Sequence, residues 1–379
     1  MAHDARTFAP STLDAARHAA QQRFIDSADD LVVGSVAHLP WTAPQLAGNA
    51  DALPVRQRLD SGLTAVVYRL QGPAHDYTLK RARPQARVHN PDGQTSFLNE
   101  VQRRADFERL KRRPGGEQRW QAIVDTHYAS FRQGVILSPW IDGQPVTQWD
   151  EPRLSQLLAL ACALWLEGLF EWDLCSGNIL DEHGRLRLFD FGYMYRFDPR
   201  RQFNTAGRGD DEPLFHPAER FETRNFCALL LQLEQAGSDA ALAAFRLEKQ
   251  IALQAYEQMR QRVATMGASA AVLAWLDTLM QRWREALRGD LGALYLAENW
   301  RSHVLDLDDD LRGRSCTPMT LRRADWLLAA LREHFDALQR LQAFFWGDAG
   351  LSRPELLARY AERRRQAERF QIDTQETDR

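Results

Sequence analysis

The spacing of hydrophobic positions changes twice along the chain. Over residues 11–30, Leu13, Ala16, Ala19 and Phe24 recur at helical intervals, and a Pro- and Gly-spaced stretch through Trp41, Pro44 and Gly48 follows. This predicts a helical extension and linker over 1–50, with the helix packed on whatever lies behind it. From Arg56 the period shortens to that of strands. Residues 58–70 read as strand, small-residue turn, strand, and 76–81 as a third strand after the Gly72-Pro73 turn. A helix is predicted over 95–110, with Phe97, Val101, Phe107 and Leu110 roughly on one side and Thr95 or Ser96 as its cap. After a break at 112–116, the runs 120–130 and 133–140 read as strands, and the turn at 141–145 as a boundary between lobes. The period then lengthens for good. Residues 153–168 are so apolar that a buried helix is predicted, and two short strands, 179–180 and 186–189, flank a turn at Gly184. A further apolar helix covers 226–233, and helical patterns over 242–266, 269–287, 321–346 and 353–370 complete the chain.

The order of these elements predicts an α+β fold, β-rich in its first half and helical in its second. The chain divides into an extension (1–50), a β-rich lobe (51–140), a helical lobe (141–235) and a helical C-terminal part (236–379). With 379 residues, two lobes are expected, and 44% hydrophobic and 26% charged residues are ordinary for a globular chain. A net charge of −3 argues against a general nucleic-acid binder. Trp275, Trp283, Trp300, Trp326 and Trp346 are read as core residues. Asp306-Leu307-Asp308-Asp309-Asp310 is read as a solvated loop or helix start, since no calcium-loop spacing accompanies it. The Arg-rich face over 363–369 reads as solvated. Cys162, Cys175, Cys227 and Cys316 lack metal-ligand spacing, which suits a reducing compartment. No apolar leader or membrane-length segment is evident, so a cytoplasmic protein is expected, with export by a machine that reads another signal as the alternative.

Candidate chemistry gathers in residues 164–197. Asp173, Asn178 five residues on, and Asp190-Phe191-Gly192 twelve residues beyond that place three oxygen-bearing side chains around one hairpin. Hard divalent cations prefer such carboxylate and amide oxygens, and a spare carboxylate can orient a nucleophile. Upstream, Gly62 with Ala65 would let backbone N–H groups approach a phosphate. Lysine is scarce: Lys80, Lys111 and Lys249 are the lysines among 48 basic residues. Taken alone, Lys80 reads as a solvated edge-strand lysine. Glu100 falls beside the apolar stripe of its helix, where it can point inward to a lysine or outward to water.

Taken together, these stretches resemble the protein-kinase-like superfamily over about residues 55–235. The segment 59–68 looks like its phosphate-covering loop, Tyr77-Thr78-Leu79-Lys80 like its V-A-I-K strand, and Phe97-Leu98-Asn99-Glu100-Val101 like the helix whose Glu pairs that Lys. Asp173-Leu174-Cys175-Ser176-Gly177-Asn178 looks like the D-L-x-x-x-N catalytic loop, and Asp190-Phe191-Gly192 is the D-F-G triplet. The resemblance implies a bilobal kinase-like fold with an enlarged C-lobe. It implies ATP and Mg²⁺, with Lys80, held by Glu100, on the α- and β-phosphates under the Gly62 loop. Asn178 and Asp190 would hold the metal, Asp173 would orient the acceptor hydroxyl, and 139–143 would receive the adenine through backbone groups.

The sequence also departs from the family. Glu171-Trp172 stand where kinases have His-Arg, which removes the usual grip on a phosphorylated activation loop. Asp60 stands where the first loop glycine would be, near the expected phosphates. Phe215-His216-Pro217-Ala218-Glu219 approximates A-P-E, and Glu219 is a candidate partner for a buried Arg. The resulting expectation is an ATP- and Mg²⁺-dependent kinase acting on a protein hydroxyl. Its alternatives are a kinase of a sugar, lipopolysaccharide core or aminoglycoside, a pseudokinase that binds nucleotide without turnover, and, more remotely, nucleotidyl transfer.

Overall fold

A computed structural model describes residues 12–60, 62–88, 90–206 and 214–372. Ser11 of the first predicted helix, Ser61 of the phosphate-loop segment and 207–213 of the activation-like stretch lie outside the described residues. The chain opens with α1 (Thr12–Asp26), β1 (Val32–Gly34) and α2 (Ala43–Ala47), then β2 (Val55–Leu59), β3 (Ala65–Gln71) and β4 (Asp76–Ala82). There follow α3 (Pro91–Lys111), α4 (Gly116–Arg119), β5 (Tyr128–Ser130), β6 (Val135–Pro139) and β7 (Gln144–Pro145). The second half comprises α5 (Glu151–Leu166), β8 (Leu169–Glu171), β9 (Ile179–Glu182), β10 (Arg185–Leu188), β11 (Met194–Arg196), α6 (Pro217–Phe221) and α7 (Cys227–Ala236). It ends in α8 (Ser238–Thr265), α9 (Ala270–Arg288), α10 (Leu291–Gly313), α11 (Pro318–Arg340) and α12 (Arg353–Arg369). The architecture is α+β: an antiparallel sheet in the first half, and helices with two small sheets in the second.

The large sheet has strand order β1-β5-β6-β4-β3-β2. Alternation along β4 sends Tyr77 and Leu79 to one face, where they pack with Trp41, Leu46, Leu70 and Leu137. Lys80 therefore faces the other way, opposite Ile136 in register, and Ile136 packs with Phe97 and Val101 of α3. Strand periodicity alone aims Lys80 at α3.

Four local readings are corrected by the structure. The linker contains strand β1, which pairs with β5, and α1 stops at Asp26 because Arg132 gathers the carbonyls of Phe24, Ile25, Ser27 and Asp29. Helix α3 starts four residues early, capped by Asn90, whose Oδ1 accepts from Gly93 N at 2.7 Å, with Pro91 in the first turn. The run 120–130 is strand only from Tyr128, since Trp120, Ile123 and Val124 are buried in the helical core instead. Lastly, the acidic run 306–310 is neither a solvated loop nor a helix start: it lies in the last turns of α10, and its inward members are partly buried. Asp306 and Asp310 are largely buried and face Arg224, with side-chain exposures of 10% and 13%. Helix α10 buries Glu298, Arg301, His303 and Asp306 alongside Trp300 and Val304, so charged side chains share its buried surface with apolar ones.

The β9–β10 hairpin carries the chain between Asn178 and Asp190. Its turn residues, His183 and Gly184, have φ of 55° and 83°, the left-handed values that suit a tight two-residue hairpin. Nothing lies within 4 Å of where a Gly184 Cβ would stand, so a side chain there meets backbone strain alone. Gly184→Ala is expected to lower stability by about 1–2 kcal/mol in urea denaturation.

Candidate active site

Three remote segments meet at Lys80. Its Nζ donates to Glu100 Oε2 at 2.5 Å and to Asp190 Oδ2 at 2.7 Å, joining β4, α3 and the D-F-G segment. Burial acts to lower the Lys80 pKa, but the charges of Asp190 and Glu100 outweigh it and raise it. Burial likewise acts to raise Asp190, and Lys80 outweighs that, so the pair stays charged. The solvated edge-strand reading of Lys80 and the solvated reading of Glu100 are both excluded, since Glu100 is 1% exposed.

Arg104 and Asn99 lock this arrangement, and the sequence reading missed both. Arg104 donates to Glu100 Oε1 (2.9 Å), Ser138 Oγ (2.9 Å), Thr126 Oγ1 (3.2 Å) and the Phe189 carbonyl (3.1 Å). Asn99 Nδ2 donates to the carbonyls of Phe191, Gly192 and Met194. Their positions one residue before and four after Glu100 were the available signal, because α3 faces the D-F-G segment with that side. Phe191 is fully buried against Phe107, while the neighbouring Asp190 carboxylate stays about a third exposed beside Lys80.

Asp173 and Asn178 form a second cluster. Asn178 Nδ2 donates to the Asp173 carbonyl (2.9 Å) and to Asp173 Oδ2 (3.2 Å), which turns the Asn178 amide oxygen away from the loop. The Asp173 and Asp190 charges both act on buried Glu171 and on Tyr193, so both carboxylates lie near these two side chains. Glu171 resolves part of the sequence anomaly. Its Oε1 accepts from Asp173 N at 2.7 Å, and burial, reinforced by Asp173 and Asp190, pushes its pKa well above the carboxylate range. Through its bond to Asp173 N, Glu171 braces the loop. Trp172 turns away, donating from Nε1 to Thr205 Oγ1 at 2.8 Å and packing on Phe215.

The two other departures also find partners. Asp60 is bound by Arg83, whose hydrogen bond and charge, with Arg58 and Arg87 adding, hold the carboxyl below its usual range. Arg83 also donates to the carbonyls of Asp60 (2.6 Å) and Gly62 (2.8 Å), pinning the β2–β3 loop. A Cβ on Gly62 would lie 2.6 Å from the Ala65 carbonyl, so the loop's close fold requires glycine there. Glu219 pairs with its neighbour Arg220 through both oxygens, at 2.8 and 2.9 Å, deep in the helical core.

A divalent cation fits the donors present. The Asp190 carboxylate is held ionised, and the Asn178 amide oxygen has the hard character Mg²⁺ selects. Among the described residues no group of three or more His, Cys, Asp or Glu could hold a metal. Two protein ligands suit Mg²⁺, which completes its shell with water and phosphate oxygens. Cys162, Cys175, Cys227 and Cys316 are free thiols, and no described helix is long and apolar enough to cross a membrane.

No known family model matches the chain. Over 185 residues, 48% of its length, it is 28% identical to a probable bifunctional tRNA threonylcarbamoyladenosine biosynthesis protein of Methanosarcina mazei. That match covers 32% of the archaeal protein, so the chain spans under a third of this relative's length. Among solved structures, the crystal structure of the BubR1 kinase domain aligns with a TM-score of 0.29 and 19% identity, over 43% of this chain and 53% of that one. This likeness to a kinase domain is weak.

Proposed function

We propose that the chain is an ATP- and Mg²⁺-dependent phosphotransferase of protein-kinase-like architecture, with a β-rich N-lobe and an enlarged helical C-lobe, acting on a hydroxyl group. The observation that carries the reading is the Lys80–Glu100–Asp190 triad beside the Asp173–Asn178 pair. These would supply a cation for phosphate, two hard oxygens for a metal and a carboxylate for a hydroxyl. Lys80 binds α- and β-phosphate oxygens, with Glu100 and Arg104 fixing its position. Asn178 and Asp190 would hold Mg²⁺, which would supply neutralisation of the phosphate charge. Asp173 accepts the acceptor's hydrogen bond and takes its proton as the acceptor oxygen bonds the γ-phosphorus. The bond from that phosphorus to the departing ADP oxygen breaks in the same displacement. Positioning and charge neutralisation supply the rate.

The acceptor we favour is a protein hydroxyl, on the form of the D-F-G segment and the stretch leading to Glu219. A small hydroxylated molecule is the second reading, favoured by Trp172, which packs on Phe215 and Thr205 where a phospho-residue grip would stand. Incubation with γ-labelled ATP and Mg²⁺, against a generic protein and a panel of sugars and aminoglycosides, separates the two. Label in protein supports the first, label in a small molecule the second, and none in either sinks the phosphotransferase reading.

The Arg83 clamp gives a further expectation. Arg83→Ala frees the loop and leaves Asp60 without its main partner near the phosphates. The KM for ATP is expected to rise about tenfold, the equivalent of one charge-assisted hydrogen bond, with kcat nearly unchanged in an ADP-production assay.

A further inference from the structure

Asp173 is gripped from two sides. Asn178 holds Oδ2, and Arg224 Nε donates to Oδ1 at 3.0 Å. Arg224 comes from the π-helical turn Glu222–Phe226 between α6 and α7, 51 residues beyond Asp173. Such single turns re-aim side chains within a helical stretch and recur at functional sites. The far end of the guanidinium is also held. Nη1 lies 2.5 Å from Asp306 Oδ1 and 3.8 Å from Asp310 Oδ1, one turn apart on α10. Those acids are braced in turn: Arg323 Nε lies 2.9 Å from Asp306 Oδ2, Arg323 Nη2 donates to the Thr223 carbonyl at 2.8 Å, and Thr320 Oγ1 donates to Asp310.

We infer that Arg224 is a positioning residue for the transfer step, fixing the Asp173 carboxylate in the rotamer that meets the acceptor hydroxyl. The inference rests on the phosphotransferase reading above. A guanidinium is a rigid fork, so holding both ends fixes its plane, and the plane fixes Oδ1. Burial acts to lower the Arg224 pKa, but Asp306, Asp173 and Asp310 together raise it well above its ordinary value, so the fork stays charged. With one donor on each oxygen, Asp173 keeps lone pairs free for the hydroxyl. A solvated ion pair would fix nothing, but Arg224 is 23% exposed and its anchor Asp306 is 10% exposed. The acidic run on α10 thus acts behind the catalytic loop.

The test is a double-mutant cycle on ADP production from Mg²⁺·ATP by the full chain. Arg224→Ala is expected to lower kcat by about 10²-fold, the cost of a misplaced reactive group, with KM for ATP within about twofold of wild type. If Arg224 acts through Asp173, the pair Asp173→Asn/Arg224→Ala is no slower than Asp173→Asn alone. Guanidinium ion added to Arg224→Ala should restore part of the rate, and none in the double variant. Independent, multiplying losses, or an Arg224→Ala enzyme near wild-type rate, overturn the inference while leaving the phosphotransferase reading intact. Absence of wild-type turnover removes both. Should Arg224→Ala fail to fold by circular dichroism, Arg224→Lys keeps the charge but not the fork, and wild-type kcat in that variant overturns the proposal equally.

Discussion

Asp190→Ala is expected to lower phosphoryl transfer from ATP by about 10³-fold while the chain remains folded. Asp190 would supply the carboxylate to the metal and, through Oδ2, also orients Lys80. Losing it would remove the proposed metal ligand and one of the two anchors of Lys80. The fold should tolerate the change. Lys80 keeps Glu100 at 2.5 Å, Phe191 stays packed against Phe107, and the Asp190 side chain is about a third exposed, so no buried charge is stranded. ADP production and a urea melt read the two halves of the prediction. A variant that keeps more than about a tenth of wild-type turnover would show that Asp190 is not at the reacting centre.

Lys249→Met carries the largest stability effect. Lys249 is fully buried in α8, with Nζ 2.5 Å from Glu222 Oε1, 3.4 Å from Glu248 Oε2, and paired with Glu298. Arg301 adds a second cation, 2.6 Å from Glu222 Oε2. Three carboxylates against two cations leave one negative charge too many for a dry core. Burial prevails, favouring the protonated form, at two of the three. Burial raises Glu222 to about 8 and Glu248 to about 7, while Lys249 and Arg301 outweigh burial at Glu298 and lower it. Removing Lys249 strands these acids, and a loss of about 3–5 kcal/mol is expected from urea denaturation at pH 7.

The pH dependence has a definite sign. A carboxyl whose folded pKa is raised contributes stability while it is protonated in both states, below its ordinary value of 4.5. That contribution is lost as pH rises through about 7 to 8. Wild type should therefore be less stable at pH 9 than at pH 6. The network also bears on Asp173, because Glu222 opens the turn that carries Arg224.

What could be read from the sequence follows what is local. Asp173, Asn178 and Asp190 lie around one hairpin whose turn is written in His183-Gly184, so their proximity follows from chain geometry. Lys80 and Glu100 were legible as a pair only through resemblance, since periodicity alone left both with solvated alternatives. Burial on α3 and β4 decided them. Three features stayed hidden because their signal is tertiary. Strand β1 is three residues of otherwise linker-like sequence and exists by pairing with β5. Helix α10 sets buried charges beside its apolar stripe, and only its tertiary partners reveal that Asp306 and Asp310 face inward. Arg224 belongs to no motif, and only the π-helical turn and the acids of α10 bring it to Asp173. Asp60 and the Glu171-Trp172 pair stood out in the sequence as departures from the family pattern. Their partners, Arg83 and the Asp173 backbone, show each to be accommodated.

The most direct test of the central claim uses wild type with ATP labelled in parallel at the α- or the γ-position, plus Mg²⁺, and follows where label goes. A phosphotransferase moves γ-label to an acceptor and leaves α-label in ADP, and it stops when Asp190 is replaced by alanine. Transfer of α-label instead would mean nucleotidyl transfer, and Mg²⁺-dependent ATP binding with neither label moved would mean a nucleotide-binding module without turnover; either result contradicts the account.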